Sequence, residues 1–271
     1  SAWANNKPLV ILDRPNPNGH YVDGPVLEKP FSSFVGKKQI PTVYGMTIGE
    51  YAMMLAGEKW LSPQANAINS YNTTTQPTND TPFHFLVIKC KGYDHASKYV
   101  LPVMPSPNLK SMQAIYMYPS TCFFEGTVCS EGRGTDYPFQ LFGHPTLPQK
   151  LYKFTPMPNA GAKSSKCFYQ QCYGWFVNGS AEEVLKKINN NIQLSYFLTA
   201  YKLFPGKDSF FLKNNFINKL AGNDSFVLQV KQKKTEAEIK KCWQFFSLTL
   251  TDLNPSTIHS VMEPEINCYK S

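Results

Sequence analysis

Residues 8–25 read Pro-Leu-Val-Ile-Leu-Asp-Arg-Pro-Asn-Pro-Asn-Gly-His-Tyr-Val-Asp-Gly-Pro, an apolar run cut off by a charged pair and a turn rich in Pro, Asn and Gly. A short apolar run bounded by turn residues reads as a strand buried on both faces, as in a parallel sheet. That places the chain in the α/β class. In such sheets ligands bind beyond the carboxyl ends of the strands. Asp13, Arg14 and Asn16 fall there and present a carboxylate, a planar five-donor fork and an amide. Two readings stay open at this point: a ligand-facing cluster, or a rigid loop whose Asp-Arg pair ties down the turn.

One count bears on that choice. Of the 27 basic residues only Arg14 and Arg133 are arginines. Arginine grips carboxylates and phosphates with two parallel hydrogen bonds, whereas lysine acts as a flexible point charge. Both arginines lie in the two least ordinary stretches of the chain.

With 271 residues, 42% hydrophobic and 14% aromatic, the chain has ample material for one large domain or two ordinary ones. The net charge of +8 is spread over lysines, with only short clusters such as Lys231 to Lys234. No basic stripe with interleaved aromatics is present, so nucleic acid is not an expected partner. No run of 18 apolar residues occurs, so no membrane-spanning helix is expected. The chain opens on Ser1, and Ser1 to Asn6 reads as the tail of a helix feeding a strand. A fragment lacking an upstream segment is therefore the expectation. Seven cysteines form no CxxC pair and do not cluster with the five histidines at zinc spacing. Buried free thiols are the favoured reading, with a Cys-His nucleophile of an acyl hydrolase as a weaker alternative.

Along the chain, Thr47 and Glu50 have the spacing of a capping box that opens a helix ending near Gly57. Tyr44 and Gly45 precede it, and helix N-termini favour negative groups, so Tyr44 is a candidate ligand contact. Residues 62–81 read as a polar loop with sequons at Asn72 and Asn79, and Phe83 to Cys90 as a strand in which His84 packs. The proline-rich stretch 102–109 marks a junction between a domain over 1–105 and another over 106–271. Gln113 to Tyr118 reads as a strand. Ser180 and Glu183 form a second capping box, opening a long helix that Pro205-Gly206 ends. A short helix over Phe211 to Leu220, a strand over Phe226 to Val230 and a helix from Thr235 complete the expectations.

The second unusual stretch is Phe124-Glu-Gly-Thr-Val-Cys-Ser-Glu-Gly-Arg-Gly-Thr-Asp136. Gly132 and Gly134 flank Arg133, so the backbone there can take positive φ and its amides can form an anion-binding nest. Glu125 is the candidate acid/base group or sugar-hydroxyl acceptor. The alternative is that Glu125 and Arg133 pair to brace the loop.

Taken in order, several motifs resemble one bacterial family. They are Asp-Arg-Pro-Asn-Pro (13–17), Gly24-Pro25, Ser33-Phe-Val-Gly36, Gly-Met-Thr-x-Gly-Glu (45–50) and Pro105-Ser-Pro-Asn108. Glu125-Gly126, Gly-Arg-Gly-Thr (132–135), Pro138-Phe139 and Cys172-Tyr-Gly174 continue the match. The family is the NamZ-like exo-β-N-acetylmuramidases, long catalogued as a domain of unknown function, and the wording is most like Bacteroides-type members. The resemblance runs to about Asp224.

This resemblance implies the C-terminal part of a Rossmann-like parallel-sheet domain, followed by a mixed α/β (α+β) domain, with the site in the cleft between them. It implies release of terminal N-acetylmuramic acid from the non-reducing end of peptidoglycan fragments. Glu125 and Asp13 would be catalytic candidates. Arg14, Asn16, Tyr44, Arg133 and Thr135 would bind a peptidoglycan-derived muramyl saccharide, whose lactyl carboxylate suits an arginine fork. No metal and no nucleotide cofactor is expected, and no Gly-rich phosphate loop is present. The family's main acid is expected in an upstream Pro-Glu-His-Gly segment that this sequence does not contain, and the region from Lys231 departs from the family's usual ending. Such a substrate implies the periplasm or cell envelope, with cytoplasmic fragment recycling as the alternative. A non-catalytic envelope protein that binds such fragments is the competing expectation.

Overall fold

The computed structural model describes residues 2–5, 7–27, 29, 32–33, 36–66, 85–212 and 235. In chain order the elements are β1 (Leu9–Leu12), β2 (Asp23–Val26), β3 (Pro41–Val43), α1 (Ile48–Gly57), α2 (Pro63–Asn66), β4 (Phe85–Ile88) and α3 (Met112–Thr121). They continue with β5 (Leu141–His144), β6 (Tyr152–Phe154), β7 (Cys172–Phe176), α4 (Ala181–Ile188) and α5 (Leu194–Leu203). The sequons, His84, the elements expected over 213–234 and the helix from Thr235 lie outside the described residues, Thr235 itself apart. The chain divides into two compact units. Among the described residues one lies within 1–21 and 45–99, the other within 22–44 and 100–212.

In the first unit β1 and β4 pair in parallel, in register from Leu9 opposite Phe85 to Leu12 opposite Ile88. This is the parallel pairing expected of the opening apolar run, and it belongs to the α/β class. Burial of β1 on both faces is not found. Leu9, Val10 and Leu12 are exposed, Leu12 to 72%, because an apolar run alone does not specify which layers cover it. Ile11 and Val87 pack instead with Phe85, Ala65 and Ala52 against the inner face of α1. That helix starts where expected. Thr47 accepts from the Glu50 amide at 3.2 Å while Glu50 Oε2 accepts from the Thr47 amide at 2.8 Å, so two otherwise orphaned donors are satisfied.

The second unit contains an antiparallel sheet in the order β5-β7-β6 and the antiparallel pair β2–β3. Its core is aromatic: Phe124 stacks on Phe142 at 4.9 Å and meets Phe197 at 5.1 Å between ring centroids. Two expectations are corrected here. Gln113 to Tyr118 is not a strand but most of α3, started by Ser111, whose hydroxyl accepts from the Ala114 amide at 3.2 Å. Nearly every α3 side chain is buried, so the polar stripe that marks a helix in a sequence is missing. The long helix after Ser180 is in fact two. Asn189 and Asn190 adopt left-handed φ of 46° and 55°, which ends α4, and α5 begins at Leu194. Among the described residues no helix is long and apolar enough to cross a membrane.

Candidate functional site

In the first unit the loop after β1 is held by the start of α1. Asp13 Oδ2 accepts from Thr47 Oγ1 at 2.7 Å, and Asp13 Oδ1 from the Gly49 amide at 2.8 Å and the Arg14 amide at 2.9 Å. Both carboxylate oxygens are therefore engaged, and the negative charge sits at the positive end of the helix. Asn16 spans the loop, donating to the Met46 carbonyl at 2.9 Å and accepting from the Asn18 amide at 2.9 Å. The Tyr93 hydroxyl and the Cys90 thiol bond to the backbone of Asn16 and Asp13. His95 links the Gly19 carbonyl at 3.1 Å to Glu50 Oε1 at 2.9 Å. Arg14 is the member of the predicted trio whose side chain stays exposed. Tyr93, His95 and Cys90 were not foreseen; they lie 76 or 77 residues from their loop partners, with no local pattern to mark them.

In the second unit the turn after α3 brings four charged groups together. Arg133 Nη2 donates to Glu125 Oε1, and its Nε faces Glu131 Oε1 at 3.7 Å. Lys166 Nζ lies 2.7 Å from Glu131 Oε2 and donates to the Phe124 carbonyl at 2.7 Å and the Thr127 carbonyl at 3.0 Å. The carboxylates are deep, Glu125 exposed to 6% and Glu131 to 2%, while Arg133 keeps 36% of its side chain open to solvent. Two anions against two cations make the cluster formally neutral, as buried charges require. The Arg133 guanidinium also lies over the Phe139 ring at 5.3 Å.

The backbone conformation anticipated at this turn is present: Gly132 and Gly134 have φ of 81° and 86°. A Cβ on Gly132 would lie 2.3 Å from the Leu141 carbonyl oxygen, so close approach excludes larger residues too. Thr135 closes the turn, donating to the Gly132 carbonyl at 2.7 Å and accepting from the Tyr137 amide at 3.1 Å. Burial pushes the Glu125 carboxyl above the usual carboxylate range, and the Arg133 charge pulls the other way. Tyr44 is half-buried, and burial raises its phenol.

Glu125, Arg133 and Thr135 thus share one loop, and Asp13, Arg14 and Asn16 another; Tyr44 belongs to the unit of the former group. Glu125 and Arg133 do pair, as the bracing alternative required. Glu131 and Lys166 are the site residues that sequence reading missed. Glu131 stood inside the Gly-Arg-Gly motif's approach and was legible in principle. Lys166 is one of many lysines, 35 residues away, and carried no signal. Among the described residues no group of His, Cys, Asp or Glu has the arrangement of a metal site.

Comparison with known proteins gives a consistent result. The family model for the N-terminal part of exo-β-N-acetylmuramidase NamZ matches residues 1–113, and that for its C-terminal part matches 116–245. The peptidoglycan β-N-acetylmuramidase NamZ of Bacillus subtilis (strain 168) is 30% identical over 236 residues, covering 82% of this chain and 52% of that protein. This chain therefore spans about half the length of that curated relative. A crystal structure of a DUF1343 family protein from Bacteroides fragilis is 38% identical, with a TM-score of 0.77, covering 97% of this chain and 67% of that one. A second such protein from the same organism, 23% identical with a TM-score of 0.58 over the same shares, matches in fold.

Proposed function

The chain belongs to the NamZ exo-β-N-acetylmuramidase family, and from that premise we propose that it serves a glycoside hydrolase that releases terminal N-acetylmuramic acid from the non-reducing end of peptidoglycan fragments. The observation that carries the reading is the half-open Arg133 guanidinium, held against the buried carboxylate of Glu125. The lactyl carboxylate of a muramyl sugar takes the outer side of that fork. Once a ligand carboxylate neutralises Arg133, the pull that lowers the proton affinity of Glu125 weakens, while its burial remains. Glu125 then serves as the second carboxylate, orienting water or the bound sugar, and not as the principal acid. Thr135 holds the turn in shape and Tyr44 supplies a further sugar contact; in the first unit Asp13 and Asn16 fix the loop that carries Arg14. Periplasm or cell envelope is the compartment that fits this substrate.

A second reading is favoured by one observation. Both candidate carboxylates are already engaged, Asp13 at the start of α1 and Glu125 with Arg133, which suits a non-catalytic binder of muramyl fragments. Calorimetry and turnover separate the two. N-acetylmuramic acid should bind at least about tenfold more tightly than N-acetylglucosamine or the muramic acid lactyl methyl ester. Arg133→Ala should abolish that preference and Arg133→Lys should recover part of it. An unchanged preference in both variants refutes the arginine–carboxylate pairing. Release of muramic acid from a chromogenic β-muramide, lost in Glu125→Gln, supports the hydrolase; binding without release supports the binder.

A further inference from the structure

Three thiols meet beside Lys166 in the second unit. Cys129 and Cys172 are fully buried, and Cys167 is half-buried. Cys172 opens β7 and sits in a small core with Leu141 and Phe154, against which Cys167 packs. The intervening residues fold the chain back on itself. Cys167 and Tyr169 take left-handed φ of 59° and 61°, the Gln170 amide donates to the Cys167 carbonyl at 3.1 Å, and the Tyr169 amide to the Pro156 carbonyl at 3.0 Å. This hairpin packs Cys167 against the small buried cluster to which Cys172 belongs. Cys167 Sγ also lies 3.7 Å from the Val128 carbonyl, and Cys172 Sγ 3.6 Å from that of Gln170.

We propose that Cys167 and Cys172 are a dithiol site that a low-molecular-weight disulfide converts to an intramolecular disulfide, Cys167 attacking and Cys172 resolving. The proposal is independent of the muramidase reading. Cys167 is the more accessible sulfur, and the thiol of Cys172 together with the Lys166 ammonium stabilises its thiolate, drawing its pKa down. Cys129, by contrast, is buried and its thiol is pushed up to about 12. In the first step the Cys167 thiolate attacks one sulfur of the oxidant and expels one thiolate. Cys172 then passes its proton to the thiolate just expelled and attacks Cys167 Sγ, expelling the second. Two protein thiols are oxidised and the oxidant's disulfide is reduced to two thiols. The bond would fasten the segment that follows Lys166, whose ammonium holds Glu131 and the Phe124 and Thr127 carbonyls.

The test uses the full chain and glutathione disulfide, followed by denaturation, alkylation, trypsin and mass spectrometry. Cleavage after Lys166 and Lys186 yields one peptide containing Cys167 and Cys172 and no other cysteine. After oxidation this peptide should appear unalkylated and lighter than its reduced form by two hydrogens, and dithiothreitol should reverse the change. Cys129→Ala should leave the result intact, whereas Cys172→Ser should trap Cys167 as a mixed disulfide with glutathione. Alkylation of both thiols after oxidation overturns the proposal. So does a bond from Cys167 to the peptide carrying Cys129, or a Cys172→Ser variant in which Cys167 stays free.

Discussion

Replacing Lys166 by Met keeps most of the buried stem and removes only the ammonium, so packing losses stay small. What is lost is specific. The Phe124 and Thr127 carbonyls each lose a donor, at 2.7 and 3.0 Å, and Glu131, exposed to 2%, loses the cation 2.7 Å away. An orphaned carbonyl costs about 1 kcal/mol. Stripping the partner from a buried carboxylate costs about 3–5 kcal/mol. Arg133 Nε, 3.7 Å from the other Glu131 oxygen, still offers some compensation, and Lys166 itself is 23% exposed. A net loss of about 3–4 kcal/mol follows, a large share of the roughly 5–15 kcal/mol by which domains are stable. Equilibrium urea unfolding followed by circular dichroism measures it. Adding Glu131→Gln should return about half of the loss, because the uncompensated charge is then gone while the carbonyls stay orphaned. A loss below about 1 kcal/mol, or no recovery in the double variant, would refute the view that this lysine neutralises a buried cluster.

Two further outcomes are expected in the first unit. Burial, with the charge of Lys98 as a lesser cause, holds the His20 ring down from 6.5 to about 4. The unfolded chain takes up this proton near pH 6.5 and the folded chain does not, so the stability contributed by His20 is present above 6.5 and is lost as pH falls towards 4. At full extent that is roughly 3–4 kcal/mol, reduced by whatever solvent reaches the half-buried ring. His20→Gln should flatten the pH dependence of the urea midpoint in that window, and parallel curves would show the ring to be solvated. Asp13→Ala removes the carboxylate that accepts from the Gly49 amide and the Thr47 hydroxyl at the start of α1, and with it the anchor of the loop after β1. It should cost about 2 kcal/mol in thermal or urea unfolding, and a change within about 0.5 kcal/mol would mean that the Thr47 box alone holds the helix start.

The elements that could be read from the chain are those decided by neighbours in sequence. Both capping boxes, the positive φ of Gly132 and Gly134, and the end of α1 near Gly57 depend on residues a few positions apart, so their spacing is their cause. The strand after Pro8 was legible from its apolar run and turn, although its exposure was not. The family, too, was legible, because several irregular motifs agree in order across both matched regions. By contrast α3 is buried on nearly all sides and shows no polar stripe, so its aromatic and Met residues passed for a strand. The helix after Ser180 looked continuous because Asn189 and Asn190 stop it by backbone conformation, which hydrophobic spacing does not register.

Sequence alone determined the α/β class, the starts of α1 and α4, the glycine turn around Arg133 and the choice of arginine at two positions, since each follows from local sterics or side-chain chemistry. Tertiary structure decided which charges meet. Glu125 and Arg133 are eight residues apart, but Lys166 reaches Glu131 across 35 residues, Asp13 reaches Thr47 across 34, and His95 reaches Glu50 across 45. No local pattern encodes such partners, because packing selects them only after the chain has folded, when a buried carboxylate must find a cation or an amide to offset its lost hydration.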